Sequence, residues 1–102
     1  MTAPSRTLVV AAAQDSIAPG SRTFAMASQI FDPATRERAW LLYAWCRACD
    51  DLADGQELGH AAAPVADPAA RMARIRGLTG RALAGEWTGD TAFEALKIVA
   101  EE

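Results

Sequence analysis

The chain has 102 residues, enough for one small domain. Its 13 acidic residues outnumber its 10 basic ones, and the resulting net charge of −3 argues against a nucleic-acid surface. No apolar run approaches the ~20 residues of a membrane span; alanine is abundant and β-branched residues are sparse, so the chain reads as all-α.

Arg6 followed by Leu8–Ala13 faintly resembles a signal peptide, but its apolar part is too short for the usual ~7–15 residues. A cytoplasmic location is therefore expected. Thr7 to about Ile17 reads as a first helix, Ala-rich and stopped by Pro19-Gly20. Ser21 is a good N-cap for a second helix carrying Phe24, Ala25, Ala27, Ser28 and Phe31. Arg22 then puts a positive charge where the helix dipole favours a negative one. That mismatch makes sense if an anion such as a phosphate sits there; taken alone, it also fits a plain cap with a solvated arginine. Asp32-Pro33 starts the third helix, with Asp32 as N-cap and Pro33 at the first helical position. Arg36, Glu37 and Arg38 read as its solvated opening.

The segment Trp40–Gly55, WLLYAWCRACDDLADG, is the most informative. At about 100° per residue, Trp40, Tyr43, Arg47, Asp50 and Asp54 share one stripe, with Asp51 beside it. The other faces carry Leu41, Leu42, Trp45, Cys46 and Cys49, and a helix apolar all round is a buried one. The helix therefore reads as running through an interior with a single polar seam. Carboxylates at a helix C-terminus oppose the dipole, and Asp50 and Asp54 repel each other at i,i+4. Buried, they need a counter-charge. Arg47 offsets one charge, and Mg²⁺, which takes one or two carboxylates plus water and phosphate, suits the rest. The competing reading is an acidic, solvated helix end capped by Gly55. Cys46 and Cys49 form a C-x-x-C, but mid-helix and with too few partners for zinc. They read as two buried small apolar side chains.

Residues 56–67 form a loop containing His60, which reads as a surface residue. Asp67-Pro68 repeats the N-cap–Pro start, and Ala69 to about Ala84 is helical. Met72, Ile75, Leu78, Thr79 and Leu83 lie on its apolar side, with Arg71, Arg74, Arg76 and Arg81 mostly outside as a solvated face. A turn from Gly85 to Gly89 leads to a last helix capped by Asp90 or Thr91. No ending signal follows that helix. Four short helices also scarcely surround a central one. The chain is expected to be the N-terminal part of a larger all-α protein.

The strings GSRTFAMASQIFDPATR and LYAWCRACDDLADGQ closely resemble the opening of bacterial members of the squalene/phytoene synthase family, densely over Gly20–Gly59. Such chains are roughly three times this length. The resemblance implies an all-α isoprenoid synthase (terpenoid synthase-like) fold, of which residues 1–102 are the first part of a single prenyl transferase domain. It implies head-to-head joining of two geranylgeranyl diphosphates into phytoene, the first step of carotenoid biosynthesis. It implies Asp50 and Asp54 as ligands of Mg²⁺ (or Mn²⁺), with Asp51 beside them in the catalytic set, and Tyr43 facing the cavity. It implies Arg47, Ser21 and Arg22 as diphosphate contacts. The prenyl diphosphate and the later helices of the enzyme are the implied partners, and an apolar product implies peripheral contact with a membrane. The family's second aspartate motif has no counterpart after Asp54, so residues 1–102 alone are expected to be inactive. Two other readings stay open: a squalene-type synthase using farnesyl diphosphate, and a non-catalytic helical interaction module.

Overall fold

The computed structural model describes residues 2–20, 22–54 and 68–102, apart from the side chains of 18–20 and 22. Among them there are five α-helices and no strand: α1 (Arg6–Gly20), α2 (Arg22–Ala27), α3 (Pro33–Asp54), α4 (Pro68–Leu83) and α5 (Thr91–Glu101). A single 3₁₀ turn, Ser28–Ile30, links α2 to α3. No helix among the described residues is long and apolar enough to cross a membrane.

The boundaries follow local chemistry. Asp32 caps α3 as expected: its carboxylate accepts from the Thr35 backbone N–H at 3.2 Å and from the Thr35 hydroxyl at 2.6 Å. Asp90 caps α5 by accepting from Ala92 N–H at 2.9 Å. After α4, Gly85 adopts φ 89°, which only glycine enters freely. Gly85 N–H then reaches the Ala82 carbonyl and Glu86 N–H reaches that of Arg81, a Schellman closure. One boundary differs from expectation. α1 continues through Pro19 to Gly20, so the proline does not end it.

α3 is the axis of the bundle, packed on α1, α5 and α4. Val9, Val10 and Ala13 of α1 meet Leu41 and Ala44 of α3 and Ala95 of α5 in one core cluster. Leu52 of α3 meets Ile75 and Ala82 of α4 and Phe93 and Leu96 of α5 in a second. Leu41 and Phe93 are wholly buried, each worth ~1.5–3 kcal/mol relative to exposure. The buried positions of α3, Leu41, Ala44 and Leu52, define the face turned toward these three helices.

The start of α3 is less free than a solvated first turn. Arg36 donates to the carbonyls of Ser28 (3.1 Å) and Phe31 (3.0 Å), closing the 3₁₀ turn. Glu37 pairs with Arg6 at 2.8 Å, and Arg6 and Arg38 both reach Glu102. These contacts are exposed, and each is worth little. They tie α1, α3 and the end of α5 together at one end of the bundle.

Candidate active site

The described candidate side chains all stand on α3, and α2 supplies a neighbour. Tyr43 is half-buried, and the Phe24 ring of α2 stacks on it with centroids 4.9 Å apart and planes at 27°. Around this pair lies an open groove of ≈ 370 Å³, lined by Phe24, Phe31, Ala39, Leu42, Tyr43 and Cys46. Its walls are almost wholly apolar. Asp50 follows Cys46 by one helical turn and stands about 40° round from it, bordering the groove's side of α3; Asp54, a turn further on, stands about 40° further round, between the groove and the face of Arg47.

Arg47 lies only about 20° round the helix from Asp54, and Asp51 lies about 40° beyond Arg47. Arg47 Nε lies 3.3 Å from Asp51 Oδ1, an i,i+4 pair. The pair borders a second cleft, ≈ 250 Å³, floored by alanines of α1, α3 and α5. The charge that Arg47 offsets is therefore that of Asp51. The expected stripe spans two openings: Tyr43 lines the groove, Arg47 and Asp51 line the cleft, and Asp50 and Asp54 follow along the helix and line neither, while Trp40 is bonded to the Ser28 hydroxyl at 3.2 Å.

The expectation of a helix buried all round is corrected. Asp50, Asp54, Arg47 and Cys46 are exposed, and Leu42 is 40% exposed. The reason is geometric: α1, α4 and α5 cover one side of α3, and α2 with the 3₁₀ turn covers only part of the other. Solvated carboxylates do not by themselves require a metal, so burial supplies no argument for one here. What remains is the donor chemistry. Asp50 and Asp54 offer two hard oxygen donors one turn apart, which suits a largely hydrated Mg²⁺. Among the described residues, no three His, Cys, Asp or Glu side chains converge on one point.

The cysteines also depart from expectation. Cys46 is exposed in the groove wall, and only Cys49 is partly buried. Burial pushes the Cys49 thiol up to about 11, with the charges of Cys46, Asp50 and Asp90 adding to it. Ser21, His60 and the rest of the 56–67 loop lie outside the described residues. Arg22 opens α2, but that helix has only six residues, too short for much dipole, so the anion argument there rests on its charge and on the resemblance.

Two features were not legible beforehand. Arg71, expected outside, is half-buried and donates from Nη1 to the Leu52 carbonyl at 3.0 Å. Glu94 is buried within α5 and paired with Lys97 at 3.2 Å. The i,i+3 spacing of Glu94 and Lys97 was the only available signal for the second; nothing local signalled the first.

Residues 17–102, from the end of α1 to the end of the chain, match the family model described as squalene/phytoene synthase. The chain belongs to the squalene/phytoene synthase family. The family has a helical, isoprenoid synthase-like fold, in keeping with the all-α bundle. The chain is 46% identical over 90 residues to a protein of Pseudescherichia vulneris named phytoene synthase, a match covering 86% of this chain and 29% of that one. It is 40% identical over 92 residues to the 15-cis-phytoene synthase of Paracoccus sp. (strain N81106 / MBIC 01143), covering 90% and 30%. To the 15-cis-phytoene synthase of Pantoea ananas it is 42% identical over 90 residues, covering 86% and 29%. This squalene/phytoene synthase family chain thus spans about three tenths of the length of these relatives. No solved structure matches it significantly.

Proposed function

We propose that this chain forms part of a phytoene synthase-type prenyl transferase, which joins two geranylgeranyl diphosphates head to head in carotenoid biosynthesis. One observation carries the reading: along α3 the apolar groove is followed, one and two helical turns beyond Cys46, by the carboxylates of Asp50 and Asp54. A prenyl diphosphate has the matching polarity, with an apolar chain and an anionic head. The names of the relatives point the same way.

In this reading the apolar groove takes the chain of the substrate. The stacked faces of Phe24 and Tyr43 stabilise positive charge left on the allylic carbon when diphosphate departs, an effect of ~0.5–2 kcal/mol. Arg47, Arg22 and the Ser21 hydroxyl bind and orient the diphosphate. Asp50 and Asp54 would hold Mg²⁺, which supplies neutralisation of the leaving group's charge. Asp51 keeps Arg47 in place through their ion pair. An apolar product implies delivery at a membrane surface.

The test is a chimera in which residues 1–102 replace the matching segment of the Pantoea ananas relative. It is expected to release phytoene from geranylgeranyl diphosphate with Mg²⁺ present. A folded chimera that releases none refutes the reading. One that prefers farnesyl diphosphate supports a squalene-type synthase instead.

A further inference from the structure

The end of α3 poses an electrostatic problem that α3 does not solve. It carries Asp50, Asp51 and Asp54 at the negative end of the helix dipole, and its last turn has no basic residue. Arg47 is engaged with Asp51. The last-turn carbonyls lack intrahelical donors. The contact made to one of them comes from another helix: Arg71 Nη1 donates to the Leu52 carbonyl at 3.0 Å, across 19 residues of sequence.

Arg71 is held there by the fold. It lies one turn before Ile75 on α4, and Ile75 shares the core cluster with Leu52 itself. The guanidinium is drawn in far enough that its Nε is enclosed and finds no hydrogen-bond partner among the described residues. Withdrawing an N–H of a cation from water without a partner is unfavourable. The arrangement makes sense where the negative helix end and its carboxylates offset that cost.

We propose that Arg71 is a positioning residue for the metal- and diphosphate-binding end of α3, a role that rests on the functional reading above. Its bond to the Leu52 carbonyl lies between Asp50 and Asp54 in sequence and holds the turn that carries them. Arg71 touches neither substrate nor metal.

The sign of the metal response separates positioning from simple charge. Removing a nearby positive charge should by itself tighten binding of a divalent cation to carboxylates. Removing a positioning bond should loosen it. The variants are Arg71→Met, which keeps the aliphatic stem, and Arg71→Lys, which keeps the charge and a donor. In the 102-residue chain, hydrogen exchange at amides 51–54 is expected to quicken about tenfold in Arg71→Met, with α5 core amides unchanged. Mn²⁺ titrated into the same chain should half-broaden amides 50–54 at a concentration about tenfold higher. Arg71→Lys should restore part of both effects. In the chimera, the Mg²⁺ concentration for half-maximal activity should rise similarly, with little change in KM for substrate at saturating Mg²⁺. Unchanged exchange at 51–54, or Mn²⁺ binding that is equal or tighter in Arg71→Met, overturns the proposal. If the wild-type chain shows no broadening by Mn²⁺, the functional reading loses its metal, and the exchange rates alone decide the positioning role.

Discussion

Ser28→Ala probes how the Phe24–Tyr43 pair is held. Ser28 is 1% exposed. Its hydroxyl donates to the Ala25 carbonyl at 2.8 Å and accepts from Trp40 Nε1 at 3.2 Å. Through these bonds the 3₁₀ turn locks α2 onto α3, and α2 carries Phe24 to Tyr43. The substitution deletes two hydrogen bonds, each worth ~0.5–1.5 kcal/mol net. Water replaces part of the loss at Trp40, which is half-buried, and alanine's better helix propensity returns up to ~0.5 kcal/mol. The expected destabilisation is about 1–2 kcal/mol. A double-mutant cycle isolates the pair: Ser28→Ala, Trp40→Phe and both together, unfolded in urea and followed by far-UV circular dichroism. Coupling of ~0.5–1.5 kcal/mol is expected. Additivity within ~0.3 kcal/mol would show that the tryptophan–serine bond does not hold α2, and the reasoning about the groove floor would fail with it.

The other expectations concern charge, thiols and the exposed face. In the chimera, Asp50→Asn or Asp54→Asn should cut turnover at least ~100-fold; near-normal turnover in both would remove their proposed metal role. Iodoacetamide at mildly alkaline pH should alkylate exposed Cys46 well before Cys49, whose thiol burial holds up to about 11, and equal labelling by peptide mass spectrometry would contradict the burial of Cys49. Because that thiol is raised, its contribution to stability is full below the ordinary thiol value and should decline as pH rises through about 11. Hydrogen bonds from Arg6, and then from Arg38, hold the Glu102 carboxyl below the usual range. Its contribution is present above ordinary carboxylate values and is lost as pH falls through the folded value. Glu102→Gln should therefore flatten the acid limb of stability against pH, and an unchanged limb would dismiss the pair. The chain also leaves Met26, Ile30 and Leu42 exposed, so sedimentation should show reversible self-association, weakened by Leu42→Lys; a monomer at all concentrations counts against an adhesive groove.

Much of this was readable from sequence because it depends on neighbours along the chain. Asp32-Pro33 and Asp90 begin helices through side chains that reach two or three residues ahead, and such reach is local. The i,i+4 relation of Asp50 to Asp54, and of Arg47 to Asp51, follows from helical rise and needs no other element. The family signature lies in the same short stretch. The all-α class followed from composition and from periodicity summed over long windows.

Which face of α3 is covered could not be read in this way. A helix with apolar residues on every side states that burial is favourable, not which neighbours supply it. Here α1, α4 and α5 claim the side of Leu41, Ala44 and Leu52, and Cys46, Asp50 and Asp54 are left toward solvent. The seating of Phe24 on Tyr43 and the reach of Arg71 to Leu52 both join residues from different helices. Such contacts depend on how helices cross, and sequence spacing carries no record of that.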